Sequence, residues 1–137
     1  MCIIWLARFN LLGTGLVRPF FLEEIICKQA TIMRIFVTRK IPDRGPAMLA
    51  AKGYQVVVSP QDGVLSKQEL IGALRQGQYD AVLCLLTDKI DGEIFDAAGK
   101  QCKIFANYAV GFDNIDLGAA KERGMMVTNT PDVLTET

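Results

Sequence analysis

Histidine is absent from all 137 residues. That excludes an imidazole general base, a Ser-His or Cys-His nucleophile pair and a histidine metal site, so an enzyme needing such a group must take it from elsewhere. An excess of either charge is also missing, because fifteen basic side chains balance fifteen acidic ones. The chain therefore lacks the electrostatic footprint of a nucleic-acid or anionic-membrane binder. The four cysteines, Cys2, Cys27, Cys84 and Cys102, are widely separated and form no CxxC pair. They read as buried free thiols in a reducing compartment, with no metal framework, which points to the cytoplasm. No apolar run reaches the roughly 18–20 residues of a membrane span, since Arg8 and Arg18 interrupt the most apolar region.

That region, residues 1–32, also lacks serine and a clear cleavage site. A secretory signal is therefore not evident, and the segment reads as an extension outside the fold that begins at Met33. Gly13 and Gly15 do not make a phosphate loop, because no strand–turn–helix frame surrounds them.

From Met33 onward the chain is regular. Short β-rich runs at Arg34–Thr38, Gln55–Val58, Asp80–Leu86, Lys103–Ala106 and Met125–Thr128 alternate with helical segments. The helices are expected at Pro46–Lys52, after Ser66, at Asp91–Ala98 and at Ile115–Arg123. Ser66 with Glu69 three residues later is a capping-box signature, and Asp91 suits an N-cap. Gly53, Gly77, Gly99 and Gly124 stand where helices should stop. The nearly unbroken apolar run from Ala81 to Leu86 predicts a strand buried on both faces of a parallel sheet. The order βαβαβαβαβ predicts an α/β doubly wound sheet with helices on both faces.

In such sheets ligands bind beyond the carboxyl ends of the strands. Two loops there are candidates: Leu85–Asp91 after the third strand and Asn107–Asp116 (NYAVGFDNID) after the fourth. Gly111 removes a Cβ, so the backbone can turn sharply and its amides can approach a small anion. Asp113, Asn114 and Asp116 suit turn and cap positions leading into the next helix. Local physics leaves two readings open, a plain capped turn and a small-anion loop, and favours the first. It likewise favours Asp88, Lys89 and Asp91 as solvated loop or cap residues, and Phe105 and Tyr108 as packing residues.

The segment NYAVGFDNIDLGAAKERGMMVTNTPDVLTET resembles the D-isomer-specific 2-hydroxyacid dehydrogenases. The shared pattern is a small residue, Val or Thr, Gly, any residue, Asp-Asn-Ile-Asp, a helix, Gly, a strand and Asn-Thr-Pro. LCLLTDKIDGEIFDAAG and MRIFVTRKIPDRG are similar to the glyoxylate/hydroxypyruvate reductase branch. The likeness runs from Met33 to Thr137 and leaves residues 1–32 unmatched.

The resemblance implies a flavodoxin-like substrate domain over residues 33–129, incomplete, with residues 130–137 opening an interdomain helix before a Rossmann domain. It implies that Ala109, Val110 and Gly111 hold a substrate carboxylate through backbone amides, and that Leu85 and Leu86 wall the pocket. Val110 and Thr135 would lie near an NAD or NADP cofactor. The family's catalytic Arg, Glu and His would lie beyond Thr137, so no catalytic residue carries over to this sequence. The implied partner is a small 2-oxo or 2-hydroxy acid, and full-length family members form homodimers. The chain alone is expected to be inactive. The alternative is a non-catalytic domain that binds a small carboxylate or a partner subunit.

Overall fold

The strand-forming runs are short and largely apolar, and a helix lies between each consecutive pair, the crossover connection that parallel strands need. A computed structural model describes residues 32–131. Within them lie β1 (Arg34–Val37), α1 (Arg44–Ala51), β2 (Gln55–Val58), α2 (Lys67–Gly77), β3 (Ala81–Leu85), α3 (Gly92–Ala98), β4 (Ile104–Tyr108), α4 (Leu117–Glu122) and β5 (Met126–Thr128). The expectations for residues 1–31 and for the interdomain helix, including Thr135, fall outside the described residues.

All strand pairs are parallel, in the order β2-β1-β3-β4-β5. This is the flavodoxin-like doubly wound order, which reverses direction between β1 and β3. Register sets Val57, Phe36, Val82, Phe105 and Val127 in one row across the sheet. That row faces Leu70, Ile71 and Leu74 of α2, Ile94 and Phe95 of α3 and Ala120 of α4, and together they form the main core. Phe95 meets Phe105 edge to face, with centroids 4.9 Å apart. Each fully buried side chain of this kind contributes roughly 1.5–3 kcal/mol.

The opposite face is less covered. Right-handed crossovers put α1, which connects back from β1 to β2, on the other side from α2, α3 and α4. Among the described residues α1 is the only helix there, and none of its residues is fully buried. This corrects the expectation for β3. Val82 and Cys84 are buried, whereas Ala81, Leu83 and Leu85 are only half-buried.

Local signals explain the helix ends. Ser66 accepts from the Glu69 amide at 3.4 Å and Glu69 accepts from the Ser66 amide at 2.8 Å, completing the capping box of α2. Asp91 accepts from Glu93 and Ile94 amides at 3.1 and 3.3 Å, so α3 starts where expected. The fourth helix starts later than expected, at Leu117. Asp116 caps it through the Ala119 amide at 2.9 Å, and Ile115 is instead held in a β-bridge to Ile90. Gly77 closes α2 against Tyr79, which stacks on Phe36 at 4.9 Å.

Two outcomes follow for stability. A Cβ at Gly77 would sit 1.9 Å from the Tyr79 ring. Gly77→Ala should therefore lower unfolding free energy by about 1–3 kcal/mol in urea titration, despite alanine's better helix propensity. Hydrogen bonds from Ser66, then Gln61, hold the Glu69 carboxyl down to about 2 from 4.5. A depressed folded value means the capping contribution is whole above pH 4.5 and is lost as pH falls through about 2. The thermal midpoint of the wild type should fall relative to Glu69→Gln across that window.

Candidate functional site

At the carboxyl ends of the strands, polar side chains turn inward and tie the loops to one another. Thr38, following β1, is buried and donates its hydroxyl to Asp88 in the loop after β3. The same Asp88 oxygen accepts from the Leu85 amide at 2.9 Å. Arg39 spans the same gap by donating to the Thr87 hydroxyl at 2.7 Å. These bonds bridge the point where strand order reverses.

The loops after β3 and β4 are joined by Asn114. Its Nδ2 donates to the carbonyls of Leu85 and Asp88 at 3.1 and 3.0 Å. Its Oδ1 accepts from Asn107 Nδ2 at 2.9 Å. Backbone bonds from Ile90 N to Asn114 O and from Asp116 N to Ile90 O, both 2.9 Å, run alongside. Asn107, on the core side of β4 and only 2% exposed, also donates to the Gly111 carbonyl at 2.9 Å. The Cys84 thiol lies beside it, 3.6 Å from Asn107 Oδ1. Burial, reinforced by the Asp88 charge, pushes that thiol up to about 12, so it is not a thiolate nucleophile at neutral pH.

The turn after β4 is fastened by its carbonyls. Thr130 N donates to Ala109 O at 3.0 Å, Asn129 Nδ2 to Val110 O at 2.7 Å, and Asn107 Nδ2 to Gly111 O. The amides of Val110, Gly111 and Phe112 find no acceptor among the described residues. Gly111 is not in the left-handed region, so a positive φ is not what calls for a glycine there. Nothing lies within 4 Å of where its Cβ would be, so its effect is open space over the backbone.

The sequence-predicted residues separate clearly. Ala109, Val110 and Gly111 form the fastened turn, and Leu85 pairs in register with Tyr108 just before it. Leu86, Val110 and Phe112 are exposed and give the turn an apolar rim. Asp88 is buried at 4% exposure, a correction to its reading as a solvated residue. Tyr108 is 50% exposed, a correction to its reading as packing, because it points to the thinly covered side of β4. Phe105 packs as expected. The roles of Asn107, Asn129 and Thr38 escaped the sequence reading. The available signal was an asparagine two residues after Phe105, on the inward side of a strand. Among the described residues no group of three His, Cys, Asp or Glu side chains is placed to hold a metal. No helix there is long and apolar enough to cross a membrane.

Residues 35–137 match the catalytic domain of the D-isomer specific 2-hydroxyacid dehydrogenases. The chain belongs to that family. A glyoxylate reductase of Thermococcus kodakarensis is 45% identical over 103 residues, covering 75% of this chain and 30% of the relative. Among solved structures, the TT0316 protein from Thermus thermophilus is 40% identical with a TM-score of 0.66, covering 76% of this chain and 32% of that one. An NAD+-bound 3-phosphoglycerate dehydrogenase from Entamoeba histolytica is 28% identical with a TM-score of 0.61, covering 72% and 33%. The chain thus spans about 30% of the length of the dehydrogenase-family relative it matches.

The inter-loop network yields a stability prediction. Asn114→Ala strands the Asp88 carbonyl, takes one of two donors from Leu85 O and one of two acceptors from Asn107 Nδ2, and should cost about 1–3 kcal/mol of unfolding free energy in urea.

Proposed function

We propose that residues 33–129 are the substrate domain of an NAD(P)-dependent 2-hydroxyacid dehydrogenase that reduces glyoxylate or hydroxypyruvate. The observation that carries this reading is the row of three amides at Val110, Gly111 and Phe112 that have no acceptor among the described residues, with no described atom within 4 Å of where a Gly111 Cβ would sit. Adjacent N–H groups without acceptors suit a carboxylate, which a 2-oxo acid always carries. In this reading Ala109, Val110 and Gly111 receive the carboxylate, and Leu85 and Leu86 flank the small substituent. The 45% identity to a glyoxylate reductase supports a substrate at the small end of the class.

Nicotinamide fits only one edge of these residues. The exposed side chain of Val110 offers an apolar contact for the ring. Thr135 would join it only by the family resemblance, since it lies outside the described residues. The sequence contains no strand–GxGxxG–helix unit to cradle a dinucleotide's phosphates. The dinucleotide supplies the hydride when bound; these residues bind and orient the acid. Such an enzyme works in the cytoplasm, where Cys84 and Cys102, both buried and free, stay reduced.

The 137-residue chain alone should give no measurable NADH or NADPH oxidation with glyoxylate, because it holds neither an imidazole acid nor a phosphate loop. A rate comparable to that of a two-domain reductase would overturn this assignment of roles.

A further inference from the structure

We propose that Asn107 and Asn129 are positioning residues, each aiming one backbone amide of the β4 turn at the ligand's carboxylate. The inference rests on the carboxylate reading above and adds what sets the direction of the amides. In a trans peptide the carbonyl oxygen and the next residue's N–H occupy opposite ends of one rigid plane. The described residues contain no cis bond. Anchoring a carbonyl therefore fixes where the following N–H points. Asn129 Nδ2 holds Val110 O at 2.7 Å, which turns the Gly111 N–H the other way. Asn107 Nδ2 holds Gly111 O at 2.9 Å, which does the same for Phe112 N–H. Thr130 N on Ala109 O, at 3.0 Å, sets Val110 N–H. Three successive planes are thus fastened at their carbonyl ends, and their amide ends have no acceptor among the described residues.

The chemistry of the anchors fits this task. A carboxamide donates without bringing a charge, so it holds a carbonyl and leaves the field at the anion site to the amides. An unanchored turn would rotate its planes to hydrogen-bond water and would have to reorganise before binding. The two anchors also differ in support. Asn107 is buried and held in turn by Asn114, whereas Asn129 is half-buried beyond β5. Asn129 is therefore the safer site for substitution.

The test is an oxalate titration of the isotope-labelled 137-residue chain, following backbone amide resonances. Wild type should show saturable shifts at Val110, Gly111 and Phe112. Asn129→Ala should bind about tenfold more weakly, the scale of one charge-assisted hydrogen bond, and lose chiefly the Gly111 shift. Asn129→Asp, which sets an acceptor against the Val110 carbonyl, should bind more weakly still. Asn107→Ala should lose chiefly the Phe112 shift. If that variant does not fold, the two Asn129 variants decide the matter. Gln101→Ala removes a side-chain amide at the other end of the sheet, where it bonds Gln78 O at 3.1 Å, and should bind like wild type. Wild-type affinity and unaltered Gly111 shifts in both Asn129 variants would overturn the positioning role and leave the carboxylate reading intact. Failure of wild type itself to bind oxalate would overturn the carboxylate reading, and this inference with it.

Discussion

The hydrogen bonds of Asn114 are the constraint on which the candidate site depends. One side-chain amide reaches two carbonyls after β3, and its oxygen receives Asn107 from beneath the turn after β4. Backbone bonds between Ile90 and the Asn114–Asp116 segment also join the two loops, and the Asn114 side chain ties that pairing to the end of β3 and to Asn107. With it, the strand end that carries Leu85 and the turn that carries Val110 and Gly111 share one frame. The Thr38–Asp88 bond extends this frame to β1, across the reversal of strand order where ligands of such sheets bind. Every member is partnered, which is what makes a buried polar network rigid and not merely costly.

The frame sits on an asymmetric support. The row from Val57 to Val127 packs under α2, α3 and α4, with Phe95 against Phe105 at its centre. Asn107 and Cys84 belong to the same inward face, so the polar network is the upper rim of the main core. Its stiffness comes from the packing below, since a buried side chain in a dense interior cannot shift without displacing its neighbours. Small, directed hydrogen bonds at the rim then fix single peptide planes.

Much of the fold was legible in the sequence, because the relevant signals are local. The capping box at Ser66, the Asp91 cap and the glycine at the end of α2 each act within a few residues. The alternation of strands with helices fixed the class, and the DNID motif marked the loop. What escaped was non-local or depended on orientation. The unbroken apolar run of β3 said nothing about how many helices cover each face. Asp88 looked like a surface residue because its partner, Thr38, lies fifty positions away. Gly111 marked the turn, but no spacing rule showed that its φ is not positive. Ile115 continued a helical pattern, but its bridge to Ile90 outweighed propensity. The carbonyl anchors join Asn107 and Asn129 to a turn between them, and no spacing rule reads a peptide plane's direction.

The central claim is that the backbone turn of Val110, Gly111 and Phe112 receives a carboxylate. A crystal structure of the chain soaked with oxalate tests it most directly. The account predicts a carboxylate oxygen within about 2.7–3.1 Å of the Gly111 amide nitrogen, with the Asn129 and Asn107 anchors retained. Oxalate bound elsewhere on the surface, with the three amides facing only solvent, would contradict it.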